Sequence, residues 1–193
     1  MKFITRVFVS LCIACGIGYT SAWYMIHSGS ALTVTTLGPW KIWPHAGDPS
    51  GDPYTRAHFA KSGRLAITSI RAYNFNARFD STANQLSTEC DYVVRGPALS
   101  SSWWNLTVYD KDGFIMQNKA QRYAFHKDNI FFKEDGSYEI QLSSNARSGN
   151  WLPISGSGKF QLVLTVYHGQ SNPELNESNP LIKQLPTITK VDC

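Results

Sequence analysis

Charge is scarce in this sequence. Only 17% of its 193 residues are Asp, Glu, Lys or Arg, and the formal net charge is +4. Lys2 and Arg6 supply half of that excess, leaving 16 Lys+Arg against 14 Asp+Glu, interspersed and without a basic run. Nothing in the remainder could neutralise a phosphate backbone in register, so nucleic-acid binding has no electrostatic support. Histidines are also few: His27, His45, His58, His126 and His168 are scattered, and none forms a pair at zinc-ligand spacing. No Gly-x-Ser-x-Gly occurs. Gly156-Ser157-Gly158 precedes a strand rather than a strand-to-helix elbow, and it reads as a plain turn. Asp110-x-Asp112-Gly113 begins like a calcium loop, but Ile115 and Gln121 stand where an EF-hand needs Gly and Glu. No cofactor is implied.

What the chain does have is aromatic side chains, with six Trp, nine Tyr and ten Phe, the composition of a folded β-rich domain. It also has one long apolar run. Val7 to Ile26 carries no charge, and twenty residues at 1.5 Å each would cross roughly 30 Å of hydrocarbon. Lys2 and Arg6 precede the run and no Lys or Arg follows until Lys41, which orients the N-terminus to the cytoplasm and the body outside. Tyr19, Trp23 and Tyr24 cluster at the far end, where amphipathic rings favour the interface. A cleaved signal peptide ending at Thr20-Ser21-Ala22 is an alternative, although the apolar run continues past it. A lipoprotein signal at Cys15 fits less well. The expected organisation is a cytoplasmic stub (1–6), a membrane anchor (7–26), a linker (27–31) and one domain over 32–193.

Within that domain, 32–36 and 40–43 read as short extended pieces. Asp52 as N-cap, Pro53 at the first position and Gly63 past the end then frame a short helix over about 53–62. Tyr54, Ala57 and Ala60 share one of its faces by spacing. Alternation recurs in 73–79, 90–95, 104–109 and 138–142, and is strongest from Phe160 to Tyr167. Asp110 to Gly113 and Asp135-Gly136 mark hairpin turns. The pattern predicts a mainly β, antiparallel sandwich or jelly-roll-like domain with one short helix, preceded by a transmembrane helix. The tail from Gln170 to Val191 reads as an irregular strap.

Trp104-x-Leu106-x-x-Tyr109-Asp110-x-x-Gly113, Arg122-Tyr123, Asp135-Gly136-Ser137 and Asn150-Trp151-Leu152-Pro153, with Phe160 and Tyr167, resemble the domain-of-unknown-function family 1214. The likeness is strongest over 90–167. Upstream, Gly38-Pro39-Trp40, Trp43-Pro44 and Asp52-Pro53-Tyr54-x-Arg56-Ala57 resemble a short bacterial subgroup anchored by one N-terminal helix. The resemblance implies a β-sandwich in a Gram-negative envelope and implies no reaction. Thr165 stands where many relatives carry Arg.

Cys12 and Cys15 lie inside the apolar run, without the solvent and cations that favour a thiolate, and read as small apolar residues. Cys90 and Cys193 belong to the exported body, where thiols are oxidised, and a disulfide between them is expected, with two free thiols as the alternative. The best cluster of polar residues is His45, Asp48, Tyr54, Arg56 and His58, around the Pro/Gly loop and the helix it enters. Asp52 is already accounted for as a cap. Trp151 could stack on a sugar or lipid, or plug the open end of the sandwich. The expected function is a non-enzymatic envelope module, structural or binding a glycan, lipid or protein partner. It would sit in the bacterial inner membrane as a single-pass protein with its C-terminal domain in the periplasm. The alternative is a hydrolase or metal-dependent enzyme built on the Asp48–His58 loop and helix.

Overall fold

The alternation over 160–167 organises the folded chain. Phe160, Leu162, Leu164 and Val166 are all at most 2% exposed, and their strand lies inside a six-stranded sheet. The computed structural model describes residues 2–29, 32–62, 67–167 and 179–193. In chain order the elements are helix α1 (Lys2–Ser28), strands β1 (Thr35–Leu37) and β2 (Trp40–Ile42), and helix α2 (Pro53–Ser62). Strands β3 (Ala72–Ala77), β4 (Asp91–Pro97), β5 (Trp103–Asp110), β6 (Ala124–His126), β7 (Ser137–Ser143), β8 (Trp151–Pro153) and β9 (Phe160–Tyr167) follow. A single helical turn, α3 (Pro180–Lys183), and strand β10 (Thr187–Asp192) close the chain.

The larger sheet is ordered β1-β2-β3-β9-β5-β6 and is antiparallel throughout; the smaller is ordered β10-β4-β7-β8. Leu164 stands opposite Phe75 on one side and Leu106 on the other, so directly paired residues share the core face. Tyr92, Val94, Tyr138, Ile140 and Leu142 of the smaller sheet meet them in one cluster. Trp104 stacks on Tyr138 with ring centroids 5.1 Å apart, and Tyr92 meets Phe160 edge-on at 5.7 Å, so aromatic pairs join the layers. Each such side chain, once fully buried, contributes about 1.5–3 kcal/mol.

One pair departs from the antiparallel expectation. Trp151-Leu152-Pro153 is a short strand running parallel to β7, with Leu152 opposite Leu142. Asn150 makes this possible: its Nδ2 donates to the carbonyls of Phe131 (2.8 Å) and Glu139 (2.9 Å), and its Oδ1 accepts from Phe131 N at 2.8 Å. The tail likewise differs from an irregular strap. Its residues 168–178 lie outside the described residues, but β10 pairs antiparallel with β4 from Thr187 opposite Arg95 onward. Only Ile188 of β10 is buried, which is why its pattern is faint in the sequence. Gly96 is needed here, because a Cβ would come within 2.9 Å of Pro186 Cβ. Trp40, fully buried, donates its indole N–H to Pro186 O at 2.7 Å. Beyond a bulge between Lys190 and Asp192, Cys193 is joined to Cys90 by a disulfide.

Both turn signals appear as turns. Asp110 N donates to Phe114 O at 2.9 Å, and Lys133 N to Ser137 O at 2.8 Å. Phe79, expected on a buried strand position, is 39% exposed, because β3 ends at Ala77 and the chain reverses at Asp80. The Asp80 Oδ1 accepts from Thr82 N, Thr82 Oγ1 and Asn84 N at 2.8–2.9 Å, the geometry of an Asx-type turn.

Helix α1 is long and apolar enough to cross a membrane and buries none of its residues in the protein; a signal sequence can have the same length and composition. It extends past the expected 7–26 at both ends, so His27 and Ser28 are helical rather than linker. Helix α2 spans the expected residues, and Asp52 caps it by accepting from Tyr54 N and Thr55 N, both at 2.9 Å. Gly63, expected just past its end, lies outside the described residues. The inward face is not Tyr54/Ala57/Ala60. Thr55 is the buried residue, with His58 and Phe59 half-buried on the same face, as i, i+3 and i+4 spacing requires. The two rings decide the face because Trp43 offers them a flat partner, His58 stacking on it at 4.1 Å and Phe59 meeting it edge-on at 6.2 Å.

Candidate binding cleft beside the N-terminal helix

The outer face of the larger sheet carries the opposite phase of the strands. Where Trp40 and Ile42 point to the core, Lys41 points out, and Asn76 alternates in the same way with buried neighbours; Gln161 shares that strand phase but is itself buried, at 2% exposure. Arg78 follows β3 and donates its Nε to Gln161 Oε1 at 3.2 Å, while Gln161 Nε2 donates to Asp110 O at 3.2 Å. These bonds tie the sheet surface to the 110–113 hairpin. Gly113 holds a φ of +89°, which the turn requires and other residues resist.

Opposite this surface stand the last turns of α1 and the inner face of α2. His58 Nδ1 lies 2.6 Å from Ile26 O, so its N–H donates to the carbonyl-rich end of α1. His27 Nδ1 donates to Trp23 O at 2.8 Å, which leaves Nε2 to accept from Lys61 Nζ at 2.5 Å. The two helices therefore meet through specific polar contacts. Between them, the sheet and the hairpin lies a cleft of about 470 Å³. Lys41, Arg78 and Lys111 bring three cations to its lining against one carboxylate, Asp112, which Lys111 already contacts at 2.8 Å. The Asp112 contact and the neighbouring Asp110 hold the Lys111 ammonium above its ordinary range. Trp43, Val34 and Phe79 supply apolar wall.

Of the residues selected from the sequence, only His58 lines this cleft. His45 is exposed on a series of tight turns. Asp48 accepts from Ser50 Oγ at 2.7 Å and Ser50 N at 2.8 Å, and these bonds hold its carboxyl below the usual range. Burial pushes Asp52 upward, but bonds from Thr55 and Tyr54 outweigh it and keep the cap ionised at lower pH than usual. Tyr54 and Arg56 lie on the exposed side of α2. Trp151 belongs to the other sheet. Its indole N–H donates to Ser143 O at 3.0 Å, and Arg122 sits 5.8 Å from a ring centroid while donating to Trp151 O at 3.0 Å. Among the described residues, no group of three or more His, Cys, Asp or Glu is placed to hold a metal ion. Lys41, Arg78, Lys111 and Gln161 form no motif in the sequence; Lys41 and Gln161 carry only a strand phase, Arg78 follows β3 and Lys111 sits in the hairpin turn.

A family described as protein of unknown function, DUF1214, matches residues 71–171. That segment holds 101 of the 193 residues, just over half of the chain. The chain belongs to the DUF1214 family. The DUF1214 segment contains β3 to β9, and with them Arg78, Lys111 and Gln161, whereas α1, Lys41 and α2 lie ahead of it. Among solved structures, the VPA0106 protein from Vibrio parahaemolyticus is similar over 74% of this chain, with a TM-score of 0.57 and 25% identity. This chain spans only 36% of that protein's length. An uncharacterised protein from Burkholderia cenocepacia is 20% identical over 62% of this chain and 29% of its own, with a TM-score of 0.43. None of the curated proteins compared matches. Thr165, at the position where the resemblance puts Arg in many relatives, donates its hydroxyl to Asn74 Oδ1 at 2.8 Å.

Proposed function

We propose that this protein is a single-pass envelope module that binds a ligand at the membrane surface, with its sandwich in the periplasm and α1 retained as its anchor. The observation that carries the proposal is the cleft itself. Its walls come jointly from the outer end of α1, from α2 and from the family sheet, so a cleaved α1 would leave it with one side missing. Orientation follows from Lys2 and Arg6 ahead of the apolar run. Binding rather than chemistry is favoured by the state of the ring nitrogens: His58 Nδ1 is engaged by Ile26 O, and both nitrogens of His27 are engaged by Trp23 and Lys61. Among the described residues that line the cleft, no activated nucleophile accompanies them.

Fractionation of the producing bacterium, followed by intact-mass measurement, tests this. The full 193-residue mass should appear in the inner-membrane fraction and be released by detergent alone. Protease added to spheroplasts should degrade the sandwich. A soluble periplasmic form beginning at Trp23, or a sandwich protected from external protease, refutes the proposal.

A further inference from the structure

We propose that the cleft takes the phosphate-bearing headgroup of an anionic phospholipid from the bilayer that α1 crosses. This deepens the anchored reading and rests on it. The first ground is position. Tyr24 and His27, in the last turns of α1, line the cleft, and Trp23 and Tyr24 are 51% and 58% exposed, as interfacial aromatic rings are. A ligand in the cleft would therefore sit at headgroup level.

The second ground is unused charge. The Lys41 ammonium makes no hydrogen bond or ion pair with any of the described residues, and the Arg78 side chain engages them only through its Nε, leaving its terminal N–H groups for a ligand. A guanidinium fork and a nearby ammonium match the oxygens of a phosphate diester. The third ground is the apolar rim. Phe79 lines the cleft, and the hairpin that walls it exposes Phe114 and Ile115 at 72% and 45%. Those surfaces suit the glycerol and upper acyl segments of a lipid and would be misplaced around a freely soluble anion. Each cation near an anionic membrane surface adds about fivefold to affinity, so Lys41 and Arg78 together are worth about 25-fold.

Native mass spectrometry of the full chain in detergent is the test, with phosphatidylglycerol, phosphatidylcholine or inorganic phosphate added. One phosphatidylglycerol should bind at least about tenfold more tightly than phosphatidylcholine. Lys41→Gln combined with Arg78→Gln should remove that preference, while Lys119→Gln leaves it intact. Both replaced residues are exposed, and unchanged circular dichroism confirms that the variant folds. The double variant also separates this site from lipid gathered by Lys2 and Arg6 at the other end of α1. Equal binding of the two lipids, or a preference that survives the double variant, overturns the proposal. Inorganic phosphate displacing the lipid at equal concentration overturns the lipid source. A polypeptide mass short by residues 1–22 defeats the anchored reading instead, and the same spectrum shows it.

Discussion

Removing the Cys90–Cys193 disulfide is expected to lower stability by several kcal/mol while leaving the native fold in place. The bond closes a segment with a sequence separation of 103. In the chain-entropy model a loop of that size restricts the unfolded chain by about 4.7 kcal/mol at 25 °C. That is a ceiling, because a compact denatured state already restricts the loop, and we expect roughly 3–4 kcal/mol. The folded state has its own means of keeping the tail in place: β10 remains paired with β4, Ile188 remains buried and Ile188 N still donates to Ser81 Oγ at 2.9 Å. The assay is urea unfolding of the full chain in detergent, followed by the fluorescence of Trp40 and Trp104, both buried in the core. Cys90→Ser with Cys193→Ser should shift the midpoint downward without a matching loss of native signal. At 2–4 °C per kcal/mol, the melting temperature should fall by roughly 6–16 °C. Reductant should destabilise the parent chain but not the double variant, since Cys12 and Cys15 are unpaired on α1. A difference below about 1 kcal/mol between oxidised and reduced parent would refute the entropic account.

Two further perturbations probe the layers on either side of that bond. Leu164→Ala, at a fully buried site between Phe75 and Leu106, should cost about 2–5 kcal/mol in the same unfolding assay, because neighbouring strands cannot close the cavity. Asp80 is 2% exposed; burial raises its carboxyl, but bonds from Asn84 and Thr82 outweigh it and hold the folded value below the ordinary one. Its stabilising effect is therefore complete above the unfolded value and lost as pH falls through the folded one. Asp80→Asn should flatten that acidic limb of a stability–pH profile and cost about 1–3 kcal/mol at neutral pH, since the added amide hydrogens replace Oδ2, which is buried with no hydrogen-bond partner among the described residues.

What could be read from the sequence was local. The Asp110–Gly113 turn, the Asp52 cap and the Phe160–Tyr167 alternation each announce themselves within a few residues, because turn chemistry and side-chain period act at that range. Errors began where a distant partner decided the outcome. Tyr54, Ala57 and Ala60 have the right spacing for a packed face, but Trp43 and Ile26 O reward His58 instead. Trp151-Leu152-Pro153 shows no alternation of its own, because its strand character depends on one parallel neighbour and on the bonds of Asn150. β10 was hidden for the same reason, with Ile188 as its single buried side chain.

The cleft is the extreme case. Lys41, Arg78, Lys111 and Gln161 come from β2, the residue after β3, the 110–113 hairpin and β9, and nothing in their spacing connects them. Each occupies a polar strand phase or a turn, where a solvated side chain is the ordinary expectation. What distinguishes them is that α1 and α2 cover the same surface without neutralising it: the helices bring Tyr24, His27, His58 and Phe59 to the lining, and no carboxylate. A helix pair docked only for stability would gain by offering Asp or Glu to Lys41 and Arg78. Its failure to do so leaves an unneutralised positive cleft beside a membrane-length helix, the arrangement that a bound anion would complete.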